Sequence, residues 1–354
     1  MQENQKAKYP LNAYKTAIIG ASGYTGAELL RLLANHPKFE VRVATAHSLA
    51  GKQITEVYPH LSTYSGESFK SYDDAKEEID KCELVFCGLP HGAAMEVLPG
   101  LNNKVVVDLG SDFRLENIDD YSRWYGKAHK APDEVSNWTY GLSELFAEEI
   151  KGAKRIANPG CYATASILAL APLVKEDLLE GPVTIDAMSG TSGAGRVPSE
   201  KMHFSHVDEN FCAYKVGKHQ HTPEIEMALE KYCGKSVMVS LTAHLVPMVR
   251  GINATSSAAL KKPISAEKLK DIYEKTYADS PFISILENAP QTKSVTGSNS
   301  VQIAPFVDAR CQRVIVTSVI DNLVKGAAGQ AIQNANLICG LEETAGLSTQ
   351  GVYP

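Results

Sequence analysis

Cys161 and the pair His219 and His221 are the side chains of this 354-residue sequence best placed for covalent and proton-transfer chemistry. Cys161 stands in Asn158-Pro159-Gly160-Cys161-Tyr162-Ala163-Thr164, ahead of a helix-like run from Ala165 to Leu179. Pro and Gly stop whatever precedes them, so the thiol falls near the positive end of a helix. There the thiolate, the nucleophilic form, is favoured. The competing reading is an inert cysteine opening a core helix, because free Cys is among the most buried residue types. Lys218-His219-Gln220-His221-Thr222-Pro223-Glu224 holds the only H-x-H of the chain. Residues two apart share a face of an extended segment. Pro223 predicts a helix starting there, capped by Thr222, with both imidazoles just ahead of it. Histidine has the pKa for proton transfer near neutrality, and Glu224 is placed to orient one ring. Zinc is the rival use of such a pair, but His203, His206 and Cys212 do not complete a familiar zinc spacing, so no metal is expected.

Two further segments can hold anions. Ser189-Gly190-Thr191-Ser192-Gly193-Ala194-Gly195-Arg196 follows a strand-like run, Val183 to Met188. Its backbone N–H groups and terminal Arg can wrap an anion; a flexible hairpin connection is the alternative. Ser111-Asp112-Phe113-Arg114 offers a second Arg, suited to bidentate recognition of phosphate or carboxylate, although a lone Arg more often serves a surface ion pair.

Gly20-Ala21-Ser22-Gly23-Tyr24-Thr25-Gly26 lies between a strand (Thr16 to Ile19) and a helix (Ala27 to Leu33). Glycines there let the backbone approach a pyrophosphate at the helix N-terminus, which marks dinucleotide binding over a merely tight turn. The second strand begins at Val41 and ends in Ala44-Thr45-Ala46-His47-Ser48, followed by Gly51-Lys52, without the carboxylate that an NAD site usually carries. NADP is therefore the expected cofactor. A thiol, a proton carrier, anion-binding arginines and a nicotinamide together define thioester chemistry coupled to hydride transfer.

These groups need a scaffold. Apolar runs at Leu84 to Pro90 and Val105 to Gly110 extend the strand–helix alternation, which predicts a parallel sheet covered on both faces. After Cys161 the pattern changes. Val183 to Met188, Val237 to Leu241, His244 to Val249, Ala254 to Leu260 and Val314 to Val319 read as strands, several without a helix between them, and predict a mixed sheet. Ala266 to Ala278 reads as a surface helix capped by Ser265, and Ala327 to Cys339 as the last helix. The fold class is α/β: a Rossmann-type NADP-binding domain plus a mixed α+β domain.

Hydrophobic residues make up 44% and charged residues 21%, with a net charge of −6, a balance that argues against nucleic-acid or membrane-surface partners. Seven scattered Cys without a CxxC pair, and an opening MQENQKAKYPLNAYK without an apolar core, predict a reduced, cytoplasmic enzyme.

GASGYTGAELLRLL, PHG at 90–92, DLGSDFRL, NPGCYAT, SGTSGAGR, HQHTPEIE and DNLVKGAAGQAIQ occur in this order. Together they resemble the N-acetyl-gamma-glutamyl-phosphate reductase family of arginine biosynthesis, related to aspartate-semialdehyde dehydrogenases, over nearly the whole chain. The resemblance implies an NADP domain of residues 1–160 and 326–354 around a substrate and oligomerisation domain of 161–325, in a homo-oligomer (dimer or tetramer). It makes Cys161 the nucleophile and either His219 or His221 the acid/base residue. Arg114 and the loop with Ser189, Gly190, Ser192, Gly193 and Arg196 would hold the phosphate and carboxylate, with Glu224 beside them. Gly20, Ser22, Gly23, Tyr24, Thr25, Gly26, His47, Ser48, Pro90 and Asn322 would lie against NADP. The implied reaction reduces N-acetyl-glutamyl 5-phosphate to the semialdehyde and phosphate. Aminoadipyl or aspartyl phosphates are the alternative substrates, and a Cys–His thiol hydrolase the alternative class. Two positions depart from the family: His47-Ser48 where Arg-Ser is frequent, and Thr296 ahead of Gly297-Ser298-Asn299 where Arg is common, with Lys293 as a substitute cation.

Overall fold

The computed structural model describes residue 10 and residues 12–353; the rest of the polar opening segment lies outside them. The first sheet has six parallel strands, β1 (Tyr14–Ile19), β2 (Phe39–Ala44), β3 (Leu84–Cys87), β4 (Val105–Asp108), β5 (Thr139–Tyr140) and β6 (Arg155–Ala157), in the order β2-β1-β3-β4-β6-β5. Its central strands are apolar on both faces, and all four residues of β3 are buried, as a sheet with helices on each side requires. The order reverses beside β1, and ligands of open α/β sheets bind at such a switch point, outside the carboxyl ends of the strands. The Tyr24–Leu33 helix follows β1 there.

The second sheet has seven strands: β7 (Leu179–Ser189), β8 (Cys212–Tyr214), β9 (Val239–Leu245), β10 (Ile252–Leu260), β11 (Ile283–Ile285), β12 (Val301–Asp308) and β13 (Arg313–Ile320). Their order is β11-β12-β13-β10-β7-β9-β8, and the pairings are mixed, β7–β9 and β11–β12 being parallel. Burial alternates along β10, with Ile252, Ala254, Ser256, Ala258 and Leu260 turned inward. The inner face packs against the Cys161–Lys175 helix, whose residues Tyr162 to Val174 are all buried. A helix apolar around its whole circumference belongs in a core, and this one lies between the two layers.

Several expected elements shift. The helix expected over Ala165 to Leu179 ends at Lys175, and Leu179 opens β7. The two strands expected at Val237 to Leu241 and His244 to Val249 are one strand, β9. Strand β12 escapes notice because Pro305 interrupts its pattern; Pro305 sits in the ladder between Ala304 and Phe306 opposite β13. After β13 the chain widens into a π-helical turn, Val324–Ala328, and only then forms the Gly329–Ile338 helix. That helix packs on β4 and the Ser143–Lys151 helix, so the chain end returns to the first layer.

Candidate active site

Cys161 is the first residue of its helix. Gly160 is the N-cap and supplies no side-chain bond, so the helix begins with free N–H groups beside the thiol. Arg114 braces the preceding turn: its Nε donates to the Asn158 carbonyl at 2.8 Å and its Nη2 to the Leu109 carbonyl at 3.0 Å. Glu224, fully buried, accepts the Gly160 N–H at 2.7 Å and the Tyr140 hydroxyl at 2.8 Å. Its other oxygen faces Arg114 Nη1 at 3.4 Å and His221 Nε2 at 4.0 Å. An arginine and a glutamate from different layers thus fix the turn that carries the sulfur.

The electrostatics differ from the expectation of a readily formed thiolate. Burial pushes the Cys161 thiol up to about 11, against the opposing pull of Arg114 and of the backbone N–H groups at the helix start. The helix end is present, but desolvation of the anion outweighs it. Both imidazoles are neutral bases for the same reason. Burial lowers His219 to about 3, and His221 is held well below the usual histidine range by burial and the adjacent Arg114.

The extended arrangement expected for His219 and His221 is replaced by a turn running into a helix. His221 is the first residue of the His221–Cys233 helix, with Gln220 rather than Thr222 as its N-cap. The rings lie 4.8 Å apart, and the His221 N–H donates to His219 Nδ1 at 3.2 Å. His221 Nε2 faces Arg114 Nη1 at 3.5 Å and packs so closely on Gly160 that a β-carbon there would stand 2.2 Å from it. A neutral Nε2 beside a guanidinium acts as acceptor, which leaves the proton on Nδ1.

A cleft of about 350 Å³ joins these groups to the glycine loop. Of the expected residues, Gly23, Tyr24, Thr25, Gly26, Pro90, Arg114, Cys161, Ser192, Gly193, Arg196, His221 and Asn322 line it. His219 stands behind His221, edge-on to Tyr162 and Tyr214. Ser189 and Gly190 support the loop from beneath; a β-carbon on Gly190 would meet the Val249 carbonyl at 2.6 Å. Arg196 reaches over the Tyr58 ring, 5.7 Å from its centre, and the Tyr58 hydroxyl donates to the Ser22 carbonyl at 2.8 Å. The arginine thereby spans from the second glycine loop to the first. His47 and Ser48 are exposed beyond β2 and do not line the cleft.

The first glycine loop has the shape of a dinucleotide cradle. Gly20 has φ +80°, and a β-carbon there would stand 2.8 Å from the Gly88 carbonyl oxygen; at Gly26 it would be 2.5 Å from the Ala21 backbone. The helix opening at Tyr24 has Gly23 as N-cap without a side-chain bond, leaving its first N–H groups for an anion. These residues fit a dinucleotide.

Sequence reading missed the support around these groups. Asn158 donates to the Ala327 carbonyl at 3.2 Å and accepts from Asn334 Nδ2 at 3.0 Å. Asn322 accepts the Gly251 N–H at 2.8 Å and donates to Ser192 Oγ at 3.0 Å, which ties the end of β13 to the second glycine loop. Asn158 opens the NPGCYAT motif and Asn322, expected against NADP, lies in DNLVKGAAGQAIQ, but neither motif gives these supporting bonds.

The model of the semialdehyde dehydrogenase NAD-binding domain matches residues 15–153, and that of the semialdehyde dehydrogenase dimerisation domain matches residues 161–322. The chain is 48% identical to the N-acetyl-gamma-glutamyl-phosphate reductase of Symbiobacterium thermophilum, over 96% of this chain and 99% of that protein. It belongs to the N-acetyl-gamma-glutamyl-phosphate reductase family of semialdehyde dehydrogenases. The relative of that name from Pelotomaculum thermopropionicum is 46% identical over 97% of this chain and all of its own length. Among solved structures, aspartate semialdehyde dehydrogenase II of Vibrio cholerae shares the fold, with a TM-score of 0.71 at 19% identity over 93% of this chain and 99% of that one. The Candida albicans aspartate semialdehyde dehydrogenase solved with NADP has a TM-score of 0.68 at 17% identity, over 92% of this chain and 99% of its own.

Proposed function

We propose that this chain reduces N-acetyl-glutamyl 5-phosphate to N-acetyl-glutamate 5-semialdehyde and phosphate through a thioester on Cys161. The observation that carries the reading is one cleft lined by Cys161, His221, Arg114 and the glycine loop, in a chain nearly half identical to reductases of that name. His221 takes the thiol proton on Nε2 as sulfur attacks the acyl carbon. The C–S bond forms, the C–O bond to phosphate breaks, and the proton leaves with the phosphate. The glycine loop and Asn322 would hold NADPH, which would supply the hydride for reduction of the thioester carbon. Cleavage of the C–S bond then frees the semialdehyde, and the sulfur takes up the proton that the overall reaction consumes.

Arg196 offers its guanidinium to the substrate anions at the Ser192–Gly193 loop, whose own N–H groups are taken by the Val249 and Gly190 carbonyls at 3.1 and 3.3 Å, while Arg114 stabilises charge next to the reacting carbonyl. Glu224 orients rather than binds, since its oxygens already serve Gly160, Tyr140 and Arg114. The domains divide near 160/161 and 325/326. The outer face of the second sheet, with Asn253, Thr255 and Ser257 of β10, is the contact of a homo-oligomer, in line with the dimerisation-domain match. Seven unpaired cysteines accord with a reducing cytoplasm. NADPH oxidation with the acetylated glutamyl, aminoadipyl and aspartyl phosphates tests the substrate: the first should turn over fastest. A Cys161→Ser variant that still turns over would end the mechanism.

A further inference from the structure

Lys325 and Glu144 have no solvent exposure and form an ion pair. Lys325 Nζ also donates to Gln333 Oε1 at 2.7 Å and lies 5.6 Å from the centre of the Phe282 ring. Gln333 donates in turn to Glu144 Oε1 at 2.8 Å and to Glu343 at 2.6 Å, and accepts from Asn299 at 2.8 Å. Among the described residues Glu144 Oε2 has no hydrogen-bond partner. Such a pair is a poor stabiliser. Desolvation of two charges offsets their attraction, an unpartnered oxygen worsens the balance, and an apolar pair of similar volume would serve folding as well. Its value must then lie in where it holds the chain.

Lys325 belongs to the π-helical turn, in which the Gly326 N–H donates to the Asp321 carbonyl and the Ala328 N–H to the Leu323 carbonyl, both at 2.9 Å. Turns of this kind are rare and concentrate at functional sites. Gly326 presses against the nucleophile, so that a β-carbon on it would stand 2.7 Å from Cys161 Cβ. Ala327 accepts from Asn158 at 3.2 Å. Leu323, Gly326 and Ala327 all line the cleft. The lysine points away from that cleft into the first layer, where Glu144 anchors it on the Ser143–Lys151 helix.

We propose that the buried Lys325–Glu144 pair is a positioning element, which locks the π turn so that Gly326 and Ala327 hold Cys161 and Asn158 in the reactive arrangement. The proposal rests on Cys161 being the nucleophile, but not on the identity of the acyl phosphate. The ion pair takes no part in the chemistry and acts through the backbone of the turn.

The test is the Lys325→Met/Glu144→Met double variant, which removes both charges and strands neither. Two quantities are read: kcat, and the rate at which iodoacetamide alkylates Cys161, followed on its own peptide by mass spectrometry. We expect a native fold, a kcat reduced on the order of 100-fold and an altered alkylation rate, as misplacement by about an ångström produces. Wild-type kcat with wild-type alkylation would overturn the proposal. Should the double variant fail to fold, Glu144→Gln takes its place, since it keeps the shape and the acceptor oxygen but not the charge. A wild-type kcat there would overturn the proposal equally. The alkylation rate reads the thiol directly, so the proposal can fail while Cys161→Ser still abolishes turnover, whereas turnover by Cys161→Ser would remove the premise of both readings.

Discussion

Glu224 Oε1 accepts the backbone N–H of Gly160 at 2.7 Å, which bonds the residue before Cys161 to the helix that starts at His221. Cys161 and His221 thereby share one buried carboxylate as their reference point. Glu224→Ala should lower stability by about 3 kcal/mol, because it strands Arg114 and the Gly160 N–H in a dry interior. Glu224→Gln keeps an acceptor for Gly160 and should lose much less. Urea denaturation of the two variants measures the difference, and equal losses would refute the assignment.

The two histidines should separate in kinetics. His221 lines the cleft and faces Arg114, whereas His219 lies behind it. His221→Asn should cut kcat by about 10²–10⁴, the range for loss of a general base. His219→Asn should cost less than about tenfold, since it removes the ring packed on Tyr162 and Tyr214 behind His221 but no proton acceptor in the cleft. Steady-state rates on both variants decide; a larger loss at His219 would reverse the roles.

Thiol reactivity should follow the buried environment. With Cys161 pushed up to about 11, alkylation of the free enzyme should keep rising with pH beyond 9, without a plateau near neutrality. Arg114→Leu removes a cation that favours the thiolate, so it should slow alkylation at any pH below that midpoint. A plateau below pH 8 would contradict the surroundings described for the sulfur.

His36 makes acid stability predictable. Its Nδ1 accepts from the Phe39 N–H at 2.9 Å and the Lys38 N–H at 3.2 Å, and its Nε2 faces Asn336 Oδ1 at 3.0 Å. Protonation would destroy the acceptor, and burial lowers the group from 6.5 to about 4. Below pH 6.5 the unfolded chain therefore binds a proton that the folded chain refuses. His36 costs about 1.4 kcal/mol of stability per pH unit as pH falls from 6.5 towards 4, and nothing above 6.5. His36→Leu should flatten the slope of stability against pH by one proton across that window. An unchanged slope in denaturation curves from pH 4.5 to 7 would disprove it.

Much of this arrangement follows from local sequence. Gly20 and Gly26 between an apolar run and a helical one announce the cradle, because only glycine tolerates those backbone approaches. Ser265 announces its helix, and its hydroxyl accepts the Lys268 N–H at 3.2 Å as a cap should. Asn158-Pro159-Gly160 marks the start of the Cys161 helix, since a turn and a cap are short-range events. What sequence could not supply depends on residues far apart in the chain. The thiol reads as a ready thiolate until the second layer covers it, for desolvation is a property of the packed interior. Likewise His219 and His221 are equivalent in a linear string. Packing of Gly160 and Arg114 against His221, and of Tyr214 against His219, makes the first the floor of a cleft and the second its support. Lys325 has no readable role in its own segment; only tertiary contact buries it against Glu144, 181 residues away. Composition and short spacings determined which groups exist and how each turn begins; the meeting of the two sheets around one apolar helix decided which of them touch, because contact and desolvation arise only from packing.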